Sequence, residues 1–192
     1  CTAFLTKPAV VVTAGHCLIE ANLPSWRFVF EYQMNGASPP AVFPASAVYS
    51  GKRILGREWK SNGTDWAVVE LDRAVAGVEP LRVDERPLGQ GAEVYVIGCP
   101  AGLPLKYAGG AQVRYSDPRR PYFVANLDSY GGNSGAPVFT AKNKVAGILV
   151  RGDADFSRHD PRGCARSLVC PSTGCRGEDA MRLALIPKEL WQ

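Results

Sequence analysis

Apolar residues in this chain come in short runs broken by turn-forming residues, and no run keeps the 3.6-residue rhythm of a helix for long. Thr2–Thr6, Val10–Thr13, Arg27–Tyr32, Ala47–Tyr49 and Trp66–Leu71 have the length and the Val, Ile and aromatic content of β-strands. Between them, Asn35–Pro40 and Ser61–Thr64 are rich in Gly, Ser, Pro and Asn and read as turns. A charged stretch with Pro87 and Gly89, Arg82–Gln90, is the best linker, dividing an N-terminal half (1–82) from a C-terminal half (83–192). Strand-length runs then resume at Glu93–Ile97, Ala111–Tyr115, Tyr122–Leu127, Ala136–Thr140, Val145–Val150 and Met181–Leu185. Only Pro187–Trp191, with Pro ahead of Lys-Glu-Leu-Trp, predicts a short C-terminal helix. The expected fold class is all-β.

Composition supports this. Twenty Gly and 15 Pro punctuate many short strands, and 46% hydrophobic residues over 192 positions suffice for a real core. No run approaches the ~18 consecutive apolar residues of a membrane-spanning helix, so no membrane partner is expected. The formal net charge of +4 is modest, and its arginines are scattered among Gly, Pro and Asp without interleaved aromatics. That pattern reads as a solvated basic surface and not as a nucleic-acid site.

Six cysteines, three of them (Cys164, Cys170, Cys175) close together, point to disulfides and an extracytoplasmic, secreted or periplasmic setting. The rival reading is a zinc site with His159 as fourth ligand, but paired C-x-x-C spacing is missing, so no metal is expected. Cys1 opens directly into an apolar strand pattern, an odd place for a mature protein to start, and the expectation is a fragment of a longer chain.

Three segments carry chemistry. Val11–Cys17 (VVTAGHC) places His16 at the end of an apolar run; Thr64–Leu71 (TDWAVVEL) puts Asp65 at the mouth of a strand, where a carboxylate facing inward needs a partner such as an imidazole N–H. Gly131–Phe139 (GGNSGAPVF) holds Ser134 in a glycine-rich turn whose backbone N–H groups can converge beside the hydroxyl.

Together and in this order, these segments resemble the His, Asp and Ser motifs of the trypsin/chymotrypsin-like serine peptidases, with a flavour of the bacterial secreted members in the Asn of GGNSGAP. The resemblance runs from Cys1 almost to Gln192 and includes Gly147–Gly152 (GILVRG), similar to the strand lining the extended substrate. It implies two antiparallel β-barrels and a catalytic triad of His16 as general base, Asp65 as its orienting partner and Ser134 as nucleophile. The N–H groups of Gly132 and Ser134 are the implied oxyanion hole. It also implies a disulfide from Cys1 to Cys17, no cofactor, a polypeptide substrate and a monomeric chain. If Cys1 lies in the family's second strand, the first strand of barrel one is missing. Asn133 stands where zymogen-type members have Asp, so activation through an ion pair with a new N-terminus is not expected. Val150 replaces a Ser that in many relatives supports the catalytic Asp. Cys99 has no counterpart, and its pairing stays open.

For specificity, the resemblance places Asp128 at the base of the substrate pocket, with Ser129, Val150, Gly152 and Gly177 around it, the glycines leaving the entrance open. A buried carboxylate there favours cleavage after Arg or Lys, with Glu178 and Asp179 as an alternative acidic site. The long loop Asp153–Arg176, carrying Arg158, His159, Arg162 and Arg166, is expected either to form a rim beside the pocket or to be a tolerated insertion. Two other functions compete. An α/β-hydrolase esterase is disfavoured because Ala136 breaks the G-x-S-x-G elbow and the order of the three residues is wrong. A catalytically silent binding protein on the same fold is disfavoured because no triad residue is lost.

Overall fold

In a computed structural model, which describes residues 1–157 and 163–192, the chain forms two β-sheet units. The first is a five-stranded antiparallel sheet in the order β1-β2-β5-β4-β3, made of β1 (Ala3–Lys7), β2 (Val10–Thr13), β3 (Arg27–Val29), β4 (Val48–Trp59) and β5 (Asp65–Leu71). Its end strands β1 and β3 do not pair, so this sheet is an open half-barrel. The second is a closed barrel of β6 (Glu93–Gly98), β7 (Lys106–Tyr115), β8 (Tyr122–Ala125), β9 (Pro137–Thr140), β10 (Val145–Arg151) and β13 (Glu178–Arg182). A two-stranded ribbon, β11 (Phe156–Ser157) with β12 (Arg166–Ser167), stands on the long loop between β10 and β13.

The strands form where the sequence offers β-branched residues on a surface that can be buried. Val10–Thr13 is buried throughout and pairs on both sides, with β1 and with β5. β4 is longer than the three residues its apolar pattern marks, because register shifts near Gly51–Arg53 and Ile54–Gly56 break the period-two alternation that signals a half-buried strand. The last strand falls earlier than predicted, at Glu178–Arg182 in place of Met181–Leu185. Its charged start is satisfied by ion pairs, and Leu183–Leu185 curls into a 3-10 turn.

The expected C-terminal helix is corrected to a single 3-10 turn, Lys188–Leu190, because Trp191 leaves helical geometry (φ −138°) directly after it. Its purpose is local: it drops Trp191 into the core, 2% exposed, with the indole N–H donating to the Ile186 carbonyl at 3.2 Å.

Three apolar clusters hold the molecule. One fills the open sheet (Leu5, Val11, Leu18, Val69), and one lies inside the barrel (Val96, Phe123, Val138, Leu149). The third joins the two, with Phe4, Val12 and Trp66 from the sheet packed with Ile148, Met181 and Trp191 from the barrel side. The predicted linker is anchored in this region, because Asp84 N–H donates to the Val145 carbonyl and Val145 N–H to the Arg82 carbonyl.

Candidate active site

β2 ends at Thr13, and a 3-10 turn, Gly15–Cys17, carries His16 out of the sheet beside the start of β5. Asp65, the first residue of β5, is 3% exposed. Its Oδ2 lies 2.7 Å from His16 Nδ1, and its Oδ1 accepts the His16 backbone N–H at 3.0 Å. One carboxylate thus fixes both the ring and the backbone of His16, which sets Nδ1 as the protonated nitrogen and leaves Nε2 able to accept a proton. The ring stays partly open to solvent and faces Trp59 at 6.3 Å. The Cys1–Cys17 disulfide, as the resemblance implies, ties the next residue of this turn to the beginning of the chain.

Ser134 sits in the turn leading into β9. Thr2 N–H donates to its carbonyl at 2.7 Å, and the Cys17 sulfur lies 3.7 Å from the same oxygen, so the serine turn is seated directly against the histidine turn. Among the described residues no hydrogen bond joins the Ser134 hydroxyl to His16; such bonds often tighten only with substrate in place.

Along the turn, four of the six backbone donors from Gly131 to Ala136 are engaged. Gly131 N–H donates to Asp155 Oδ2 at 2.6 Å, Asn133 N–H to the Tyr130 carbonyl, Gly135 N–H to the Leu149 carbonyl and Ala136 N–H to the Asn133 carbonyl. Gly132 and Ser134 N–H donate to nothing among the described residues. Two unspent donors flanking one residue are what a developing oxyanion requires. The turn depends on glycine at Gly132 and Gly135, with φ of +91° and +92°, and a Cβ at Gly135 would lie 2.0 Å from the Thr2 carbonyl oxygen.

Asn133 is buried. Its side-chain amide donates to Ser129 Oγ at 2.9 Å, and its oxygen accepts from Thr2 Oγ1 at 3.3 Å. Thr2 and Asp155 are supporting residues that the sequence did not single out; a Thr in a strand-like run and an Asp in a long loop carry no motif.

The substrate-side residues are placed less uniformly. Asp128, Ser129 and Gly177 line one cavity of about 390 Å³, together with Tyr130, Asp153 and Glu178, but Ser134 does not. Asp128 is exposed at this cavity, not buried at the base of a pocket as expected. Val150 does not face substrate: it is the extra residue of a bulge between Leu149 and Arg151, and its side chain, 2% exposed, belongs to the core between the sheets.

Gly152 is not an open entrance either. A Cβ there would lie 2.0 Å from both carboxylate oxygens of Glu178, so the space the glycine vacates is taken by that carboxylate. Burial pushes the Glu178 carboxyl up to about 7, with Asp155 and Asp179 adding to the shift and the Asp153 backbone hydrogen bond opposing it. Asp179, the other alternative acid, is fully buried and held by Arg151 at 2.5 Å and Arg176 at 2.6 Å.

Cys170 and Cys175 are bonded to each other, which removes two of the three thiols on which the zinc reading rested; His159, like Arg158 and Arg162, lies outside the described residues. The one further group of potential ligands among the described residues, Cys1, His16 and Cys17, contains the other disulfide. Cys99 and Cys164 are unpaired.

Fold and site together define a double-sheet β-protein of the chymotrypsin-like architecture with a carboxylate-oriented histidine next to a serine turn. Comparison with known proteins agrees. The sequence model of the trypsin-like peptidase domain matches residues 1–148, and the chain belongs to that family. A glutamyl endopeptidase of Bacillus licheniformis is 26% identical over 147 residues, covering 72% of this chain; the chain spans only 45% of that relative's length. Among solved structures, a Glu endopeptidase in complex with MPD superposes with a TM-score of 0.67 at 16% identity, over 99% of this chain and 82% of that one. A protease of M. tuberculosis in its active form gives 0.58 at 17% identity, over 94% and 67%. At these identities the structural likeness speaks for the fold.

Proposed function

We propose that this chain is a serine endopeptidase that works through an acyl-enzyme. The observation that carries this reading is the doubly bonded Asp65–His16 pair beside a serine turn with two unspent N–H groups. As the Ser134 oxygen bonds to the scissile carbonyl carbon, its proton passes to His16 Nε2, and Asp65 stabilises the imidazolium. The carbonyl oxygen, now an anion, takes hydrogen bonds from Gly132 and Ser134 N–H; one such donor is typically worth about 3–4 kcal/mol in the transition state. The C–N bond breaks as His16 returns the proton to the leaving amine. Water then attacks the ester carbon, giving a proton to His16; the bond to the Ser134 oxygen breaks as His16 returns that proton to it, and the acid product leaves.

The preferred residue before the scissile bond is Arg or Lys. The cavity beside the serine turn is lined by Asp128, Asp153, Asp155 and Glu178 against one base, Arg114, whose guanidinium is engaged with the carbonyls of Thr173, Gly174 and Cys175. The relative from Bacillus licheniformis is named for glutamyl substrates, and a Glu side chain is the contrary case. Here it meets an acidic lining, whereas a guanidinium entering beside Glu178 gains a charge-assisted partner. The two disulfides favour an oxidising, extracytoplasmic setting for the activity.

Labelling with a fluorophosphonate probe tests the central claim. Wild-type full-length protein is expected to react at Ser134 and the Ser134→Ala variant not at all. A wild type that folds but does not label is a silent binding protein on this fold. Peptides with Arg, Glu or Leu before the scissile bond then rank specificity, and equal kcat/KM on all three, or a lead for Glu, refutes the basic preference.

A further inference from the structure

Away from the serine turn, at the opposite ends of β8 and β13, a cavity of about 370 Å³ opens between the linker and the barrel, inside the ~300–1,000 Å³ range of small-ligand sites. Its walls are mostly apolar: Pro87, Leu88, Pro118, Phe123, Ala146 and Leu185. Four charged residues also line it, Asp84, Glu85, Arg86 and Arg182, and of these Arg182 alone has no ion-pair partner among the described residues. Arg182 is 9% exposed, lies 5.8 Å above the Phe123 ring and has no carboxylate partner among the described residues. Its guanidinium donates from Nε to the Arg120 carbonyl, and from Nη2 to Ser116 Oγ and the Asp117 carbonyl. Nη1 donates to nothing among the described residues, yet no buried side-chain nitrogen lacks a partner, so Nη1 keeps access to solvent on a residue that lines the cavity.

The nearby carboxylates are already matched. Asp84 is held by Arg86, Glu85 by Lys188 and Asp117 by Arg119, which leaves Arg182 without an ion pair of its own among the described residues. A desolvated cation in an apolar cavity is costly unless an anion joins it.

We propose that this cavity binds a small organic carboxylate with an apolar body, its carboxylate on Arg182 Nη1 and its hydrocarbon against Leu88 and Phe123. A single negative charge matches the single free nitrogen. The Ser116 hydroxyl proton is already given to the Leu88 carbonyl, so a phosphate, with more oxygens and up to two charges, would be left under-bonded. The site is separate from His16, Asp65 and Ser134 and holds whether or not the chain is a peptidase.

Hexanoate is the probe, with hexan-1-ol and hexylammonium as size-matched controls, on the full chain carrying Ser134→Ala to prevent self-cleavage. Titration followed by amide NMR is expected to move Ser116, Arg182 and Ala184 saturably with hexanoate, at about tenfold or more higher affinity than with either control. Ala184→Phe, from an exposed position on the cavity wall, should block binding at least about tenfold without disturbing the core; Arg182→Gln should erase the preference for the anion. If hexanol binds as well as hexanoate, if Ala184→Phe binds hexanoate like its parent, or if nothing saturates at tens of millimolar, the proposal is wrong. Should Arg182→Gln not fold, Ala184→Phe and the alcohol control still decide.

Discussion

The hydroxyl of Thr2 donates a 3.3 Å hydrogen bond to the side-chain oxygen of Asn133, joining the second residue of the chain to the residue before the candidate nucleophile. The same hydroxyl accepts Cys99 N–H at 3.1 Å, the Thr2 carbonyl accepts from Thr13 Oγ1 at 2.7 Å, and Thr2 N–H reaches the Ser134 carbonyl. Every polar atom of this buried threonine is thus spent on holding the serine and histidine turns together.

Thr2→Val keeps the shape and the backbone bonds but leaves Cys99 N–H and the Asn133 oxygen without this partner. Loss of about 1–3 kcal/mol is expected, the usual cost of stranding buried polar groups, measured by urea unfolding. Thr2→Ser should recover most of it. Equal stability of all three proteins would show that the network bears little of the fold.

Asp65→Asn presents an amide N–H where His16 Nδ1–H now donates, and so favours the wrong imidazole tautomer. By analogy with the worked serine-protease case, kcat should fall roughly 10⁴-fold with KM changed little. A loss under about tenfold in a folded variant would remove Asp65 from the mechanism.

Glu178 gives a pH signature. Its folded value, about 7, lies above the ordinary carboxylate value of 4.5, so the folded state holds this proton more tightly than the unfolded one. Stability from this group is complete below pH 4.5, is lost as pH rises, and turns to a full penalty above pH 7. Glu178→Gln should therefore stabilise the protein by about 1–2 kcal/mol at pH 8 and hardly at all at pH 4, after allowance for partial solvation. The ratio of kcat/KM for Arg over Leu peptides, which cancels ionisations common to both, should rise through pH 7 in wild type and stay flat in the variant.

The two unpaired thiols should differ in reactivity. Burial pushes the Cys99 thiol up, away from thiolate, while Cys164 is exposed. Iodoacetamide under native conditions should modify Cys164 alone, with Cys99 reacting only after denaturation; peptide mapping by mass spectrometry separates the two.

What the sequence reveals depends on whether a residue's role is local. Val10–Thr13 is legible because a strand buried on both faces needs an unbroken apolar run. His16, Asp65 and Ser134 are legible because each sits in a motif. The far half of β4 is not, since its bulges scramble the alternation and its Lys52 and Arg53 are answered by Glu70 on the neighbouring strand.

The pocket shows the same limit. Counting back from Ser134 selects Asp128, yet the acid that fills the space at Gly152 is Glu178, 44 positions beyond the serine, brought there by the pairing of β13 with β10, where Arg151 faces Asp179. Thr2 is hydrogen-bonded through every polar atom yet carries no motif, because its partners are distant in sequence and no spacing rule links them.

Trp191 closes the cluster between the two sheets, and it follows every strand of both in the sequence. Synthesis runs from the N-terminus, so the open sheet and the barrel strands emerge while that cluster still lacks one of its two buried tryptophans. The order of synthesis thus makes the packing between the two sheets the last part of the core to be completed.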